Sequence, residues 1–447
     1  MFTVGNAAPD ATMVFVSFTN VILSSHTVEP ETYDLNDLDA FNRNALSAAI
    51  FSNTGGVSIN LKTVTITRMD AGAGAVGLYG QVDTLRGNLT VSASTITANT
   101  ARNFAHAAGI TVRDSATVRI SASTFTSNIG FAVDDALDAA SALLVVTSDG
   151  VAIESSTFKG NQIDIAENLE IFVGTAYISQ VPQVAVIATT FAENLGDTLV
   201  VFGDPANADS PTATLLVKAT TFTKNRGAIT GGLVYADGAA CISATTFNAN
   251  VAIGSEYFND NDEVLNNAAG ALVLFNSITS GSGNTFKANR VVPTGLTPNT
   301  ADWAQAIMAA EGASAVFTST TVHASGAASP ADITASDETA LSFCKCNFVR
   351  VPKGGPPVTL ATVSDPANTL PAGTIDVCPT TPYIVLEGTV TAMCNVCSAA
   401  GTTDCGKAMA WAWMPWLKNT VYPNYWQSGL GFKAQATPGV GAKMPSN

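Results

Sequence analysis

Asp134 and Asp135, with Asp138 close behind, come nearest to a catalytic pair in this chain. Glycoside hydrolysis needs two carboxyl groups, one to protonate the leaving oxygen and one to activate water or attack. Adjacent residues on a strand point to opposite faces, so the doublet alone does not build such a site. The only three histidines, His26, His106 and His323, are far apart in sequence. Asn259-Asp260-Asn261-Asp262-Glu263 offers oxygen ligands for calcium, but it lacks the glycine and the distant glutamate of an EF-hand loop. It reads first as a solvated insertion. The expectation is a protein without catalytic, cofactor or metal residues, with a polysaccharide lyase or hydrolase as the alternative.

Cysteines carry a stronger signal. Of seven, Cys344, Cys346, Cys378, Cys394, Cys397 and Cys405 cluster near the end of the chain, and Cys241 stands apart. Six cysteines in a loop-rich segment read as a disulfide module of undetermined pairing, which implies an oxidising, extracellular setting. Zinc is the rival, since Cys394-x-x-Cys397 has ligand spacing, but no second such pair and no nearby histidine completes the set. Cys344 and Cys346, two apart, are expected on one strand face and therefore to pair elsewhere. Cys241, between Ala240 and Ile242, is expected to point outward as a tether or a shielded thiol. Asn88-Leu89-Thr90 is a glycosylation sequon at Asn88. Trp411, Trp413, Trp416, Tyr422, Tyr425 and Trp426 crowd an almost uncharged tail, suited to a protein or sugar contact or to a cap on the preceding domain.

Composition narrows the partners. Charged residues are 12% of the chain, against about 25% in ordinary soluble domains. The net charge is −15 with 20 Lys and Arg, which argues against nucleic acid and anionic membranes. No apolar run reaches the roughly 18 residues of a membrane span. Residues 1–10 lack the basic start and apolar core of a signal peptide. So little charge on so apolar a chain suggests a surface shielded by neighbours or glycans, or simple compositional drift.

What must position all of these groups is a repeat. Two apolar residues two apart are followed by a small residue, Ser or Thr, then Thr-Phe and, three residues after the Phe, Asn. One copy is Val118-x-Ile120 with Ser123-Thr124-Phe125 and Asn128. Others run through Phe158 and Asn161, Phe191 and Asn194, Phe222 and Asn225, and Phe247 and Asn250. Leu89-x-Val91 leads to Ile96 and Asn99, whereas Asn284-Thr285-Phe286 with Asn289 has lost the start of the pattern. Weaker copies fall at Ile59-x-Leu61, Ala315-x-Phe317 and Leu341-x-Phe343, and Phe41-x-x-Asn44 is a further candidate.

Period-two alternation marks a strand with one buried face. The small residue and the Ser or Thr permit a bend, and the Asn suits a corner because it tolerates left-handed backbone. Ala108-Gly109-Ile110, Gly231-Gly232-Leu233 and Gly270-Ala271-Leu272 supply a second strand, as does Ala48-Ala49-Ile50, although residues 35–51 could instead form a capping helix. The spacing predicts an all-β, right-handed parallel β-helix of about eleven coils, about 4.8 Å apart. Phe would stack on Phe, Asn amides would bond along the axis, and Thr would form an outward ladder. The residues flanking that ladder differ from coil to coil, unlike the flat Thr arrays that bind ice.

This pairing of Phe-x-x-Asn with a Gly-Gly-Ala-Ile-like element resembles the repeats of the polymorphic outer membrane proteins of chlamydiae over roughly residues 15–350. Similar repeats occur in large surface proteins of algae and oomycetes, some with cysteine-rich modules. The resemblance implies a right-handed β-helix of pectin-lyase-like shape and a role in adhesion at cell surfaces. It carries no catalytic residues, and the Gly-His-Gly and Arg-Ile-Lys motifs of polygalacturonases are missing. No membrane barrel follows the repeats, which favours the eukaryotic variety. The expected organisation is a β-helix over 1–350, a disulfide module over 351–407 and an aromatic tail or cap over 408–447. The expected protein is a non-enzymatic extracellular scaffold in a cell-surface, cell-wall or filamentous assembly. Its partners would be other protein chains, by self-assembly or in a heteromer, and glycans.

Overall fold

The computed structural model describes residues 2–3, 13–27, 49–52, 56–72, 74–80, 86–102, 106–132, 139–165, 173–203, 214–253, 257–258, 264–265, 268–292, 303–326, 330–336, 338–350, 355–363, 373–379, 384–387 and 390–391. The described residues are all-β, without a helix. Almost every strand pairs in parallel with the strand one repeat before it and one repeat after it. Three kinds of strand recur. The entry strand carries the alternating apolar pair, a three-residue strand carries Thr-Phe, and a third follows the small residues.

The registers align the repeat residue by residue. Leu61, Val91, Ile120, Ile153, Val186, Val217 and Ile242 form one inward column of entry strands. Phe125, Phe158, Phe191, Phe222, Phe247 and Phe286 form another, each fully buried. Their successive ring centroids lie 4.7 to 5.0 Å apart, with interplanar angles of 3–14°. Each buried ring contributes roughly 2–3 kcal/mol. The internal Phe column and the outward Thr ladder are therefore as the repeat predicts. Nine threonines from Thr65 to Thr321 stand in register on the outer side of the same strands.

The corners differ from expectation in one respect. Left-handed backbone falls on the residue before each Asn: Ala98, Ser127, Gly160, Glu193, Lys224, Ala249 and Ala288 have φ of 53 to 60°. A second set, including Ala93, Ala122, Ala188, Ala219 and Ala244, turns the chain before the Ser or Thr. An alanine there costs about 1 kcal/mol of backbone strain. It also aims its N–H at the next layer: Ala93 donates to Ser121 O at 3.0 Å and Ala98 to Thr126 O at 2.9 Å. The Asn is thus freed from bending the chain, and its side chain turns inward.

Those side chains form a continuous ladder. From Asn99 to Asn289, six successive Nδ2 to Oδ1 bonds of 2.9–3.1 Å link seven layers. Each Oδ1 also accepts the backbone N–H of the preceding Asn, and Nδ2 also reaches a carbonyl, as from Asn194 to Phe158 O at 3.0 Å. All seven are buried, and within the ladder, from Asn128 to Asn250, both amide hydrogens and the oxygen are hydrogen-bonded.

Two irregularities have local causes. The copy that lost its start places Gly281 in the column of Ile242 and Phe317. A Cβ there would collide with the Phe317 ring, so the aromatic of the next layer fills the space. The parallel stack also runs past the expected boundary at 350. Val358–Thr362 pairs with the Ile333 strand, Thr374–Pro379 with the Leu341 strand, and Ile384–Glu387 and Val390–Thr391 follow in turn. Alternation causes this continuation, since Val358, Leu360, Ile375 and Val377 extend the inward columns and are fully buried. Residues 35–48, including Phe41 and Asn44, lie outside the described residues, whereas Ile50–Ser52 pairs with Val76–Leu78 as a third-type strand.

Candidate functional site

The structure distributes the singled-out residues along the stack. Asp134, Asp135, Asp138, residues 259–263, Cys394, Cys397, Cys405 and all six tail aromatics lie outside the described residues. His26 is exposed, His323 half-buried and His106 fully buried. Among the described residues, no group of three or more His, Cys, Asp and Glu could hold a metal ion. Asn88 begins the strand Asn88–Ser92 and is half-buried between layers. Its Oδ1 accepts from Thr117 Oγ1 at 2.6 Å, and its Nδ2, the atom that would carry a glycan, donates to Ser58 Oγ at 3.4 Å.

The cysteines near the end of the stack are strand residues. Cys344 and Cys346 do not share a face, because Lys345 between them has φ of 55° and turns the chain. Cys344 stands in register with Cys378 of the next layer. Cys346 takes the place held by Ser94, Ser123, Ser156, Thr189, Thr220 and Thr245 in earlier layers. Like those hydroxyls, its thiol donates to the carbonyl two residues back, Cys344 O at 3.5 Å, as Ser94 does to Ser92 O at 2.8 Å. It also lies 3.4 Å from Phe317 O. A corner role, with a thiol in place of a hydroxyl, therefore replaces the disulfide expected at Cys346. Cys241 stands in the outward column of Ala152, Ala185 and Leu216, but it is only 3% exposed, in an apolar environment. Its outward position is as the sequence predicts, and of the two forms expected there it is shielded rather than displayed.

Two buried polar sites that the repeat does not announce are strongly perturbed. The Tyr79 hydroxyl lies 3.0 Å from His106 Nδ1, and both side chains are buried. Burial, assisted by the charge of Arg113, holds the imidazole down to about 3, while burial pushes the Tyr79 phenol above its usual range. Both are neutral at physiological pH, and the contact ties one layer to the next.

Asp197 is the second. It is fully buried, and its Oδ1 accepts the backbone N–H of Ile229 and of Thr230, each at 2.9 Å, across to the next layer. Its other oxygen has no hydrogen-bond partner. Burial pushes the carboxyl up to about 7, against the lowering effect of those backbone donors. Gly227 is required beside it, because a Cβ there would meet Asp197 Oδ1 and Thr230 O. The sequence did hold a signal. Gly196-Asp197-Thr198-Leu199 puts an acid in the slot that Gly231 occupies in Gly231-Gly232-Leu233.

A further apolar layer flanks the third-type strands. Leu144, Val200, Val234, Val273 and Met308 point away from the main core, yet they pack against Ala107, Ala140, Ile229, Ala269 and Ala304. The regular surface left on the stack is the Thr ladder, whose members are half-exposed. No helix among the described residues is long and apolar enough to cross a membrane. Comparison with protein-family models, with curated proteins and with solved structures finds no match.

Proposed function

We propose that the chain is a right-handed parallel β-helix serving as a non-enzymatic, extracellular structural or adhesive scaffold, akin to the polymorphic outer membrane protein-type repeats of algal and oomycete surface proteins. The observation that supports this reading is the Asn and Phe ladder. The residues that recur most faithfully are spent on stacking one layer on the next, as an elongated support requires. The outward Thr ladder supplies a long polar side. In this reading the disulfides of the clustered cysteines involve Cys378, Cys394, Cys397 and Cys405, while Cys344 and Cys346 stand in the stack as thiols, and glycosylation at Asn88 requires release of its amide from Ser58. Other chains and glycans are the partners in this reading, with the tail from Trp411 to Trp426 as one contact.

The test is paired. Antibody against the folded chain should label intact, unpermeabilised source cells, and the purified chain should release neither reducing ends nor unsaturated products from pectin, alginate and other uronate polymers. Turnover that disappears in Asp134→Ala or Asp135→Ala would overturn the scaffold reading in favour of a polysaccharide-active enzyme. Labelling that requires permeabilisation would overturn the extracellular one.

A further inference from the structure

Cys241 and Cys378 are each disulfide-bonded, whereas Cys344 and Cys346 are thiols. Cys241 and Cys378 are too far apart to be joined to each other. Register runs from Cys241 through Ser280, Val316 and Ser342 to Asp376, two residues before Cys378. Those four steps span about 19 Å at a strand spacing of about 4.8 Å, whereas bridged Cα atoms lie within about 7 Å. Of the seven cysteines this leaves Cys394, Cys397 and Cys405, outside the described residues, as partners for Cys241.

Chain length chooses among the three. Asp376 pairs with Thr391, which puts Thr391 in the same column as Cys241, one step further and about 24 Å away. An extended chain advances at most about 3.6 Å per residue. Cys394, three residues on, reaches about 11 Å, and the bridge adds about 7 Å, which falls short. Cys397, six residues on, arrives only along a nearly straight path, yet Val390–Thr391 is a strand running across the axis, so the chain must first turn. Cys405, fourteen residues on, has length to spare. The place of Cys241 is also a covered one. It heads an outward strip in which Leu216, Ala185 and Ala152 are 2%, 1% and 1% exposed, whereas Ser280, Val316 and Ser342 on its other side are half-exposed. Alanine is too short to shield itself on the outer face of a sheet, so a further part of the chain lies over the strip. Burial along the same strip pushes Glu154 up and Lys218 down.

We propose that Cys241 is bonded to Cys405, so that the start of the tail is pinned to the flank of the stack at the head of this strip. Forming the bond takes two electrons and two protons from the two thiols, and the oxidant is a disulfide. One thiolate attacks it, the second displaces the oxidant from the mixed disulfide, and the oxidant leaves as a dithiol. The inference rests on the extracellular reading above for that oxidising setting. It deepens the assembly reading by placing the contact from Trp411 to Trp426 beside the stack rather than on its last layer.

Disulfide mapping of the full chain isolated from its source cells tests it without any variant. After alkylation in denaturant, unreduced, cleavage with trypsin and before aspartate leaves Cys405 alone on Asp404–Lys407 and Cys241 on a peptide that begins at Asp237. The two peptides should be recovered as one linked species that reduction splits. Cys405→Ser should then release a single thiol, that of Cys241, with Cys378 still bonded, and Cys241→Ser should release that of Cys405 alone. Cys241 recovered alkylated from the unaltered chain, or linked to any other cysteine, would overturn the proposal. The wider reading fails separately: labelling that requires permeabilisation would remove the extracellular setting, whereas the peptide map reports the bond itself.

Discussion

Asn194 donates from Nδ2 to Asn225 Oδ1 at 2.9 Å and accepts at its own Oδ1 from Asn161 Nδ2 at 3.1 Å. Three residues about thirty positions apart in sequence are thus consecutive links of one buried chain. All amides point the same way along it, so polarisation of one bond strengthens the next. Asn194→Asp keeps the acceptor but sets an anionic oxygen against Phe158 O and Asn225 Oδ1, where a donor is required. The expected loss is about 3 kcal/mol or more at neutral pH, smaller in acid as the carboxyl protonates. Asn194→Ala should lose less, about 1–3 kcal/mol, and thermal melts of the two variants at pH 7 and pH 4 check the order.

Phe191 stacks between Phe158 and Phe222 at 4.9 and 5.0 Å. Truncation to alanine removes ring contacts on both sides and leaves a cavity in a close-packed column. Phe191→Ala should therefore cost about 3–5 kcal/mol, while Thr190→Ala on the outer face should stay within roughly 0.5 kcal/mol. Chemical denaturation of both variants separates the inward from the outward position of adjacent residues. Equal losses would contradict the column.

Asp197 makes stability depend on pH in a defined direction. Its folded pKa is raised to about 7, above the unfolded value near 4, so the folded state holds the proton longer. That contribution is fully present below the unfolded value and is lost as pH rises through about 7, with a slope of up to about 1.4 kcal/mol per pH unit. His106 acts oppositely. Its folded pKa is lowered to about 3, so its contribution is present above the unfolded value of about 6.5 and is lost as pH falls toward 3. Between pH 4 and 6.5 the two slopes oppose one another. Asp197→Asn should unmask the histidine, making melting temperature rise with pH across that window relative to the parent chain. A variant whose pH profile parallels the parent's would show that Asp197 is ionised throughout.

Cys346 occupies a hydroxyl's position, which predicts an asymmetric response. Cys346→Ser should be nearly neutral, within about 1 kcal/mol, because serine makes this bond in earlier layers at 2.8 Å. Cys346→Val should cost about 1–3 kcal/mol by leaving carbonyl acceptors buried without that donor. Mass mapping after alkylation should find Cys346 unmodified in the folded chain and labelled on unfolding, with no cross-link to another cysteine.

The Phe and Asn columns could be read directly from the sequence. The motif repeats at nearly constant spacing, and once strands stack in parallel, like residues are forced into register. Alternation in the entry strand likewise announces its buried face. The stacking of Asn194 on its neighbours, the outward ladder of Thr190 and the small-residue strand at Gly232 all follow from local pattern, because each layer presents the next with the same problem. The corner backbone was less legible. Ala98 and Lys224 adopt left-handed φ because their N–H groups find carbonyls in the next layer, a reward invisible to a reading that assigns such turns to Gly or Asn.

Tertiary structure alone decided the remainder. Cys346 reads as a disulfide partner until register places it above Thr320, and Asp197 gains its burial and its partners only when the backbone of residues 229–230 closes over it. Burial and partnership are set by what lies one full repeat away, and single-residue types do not encode that.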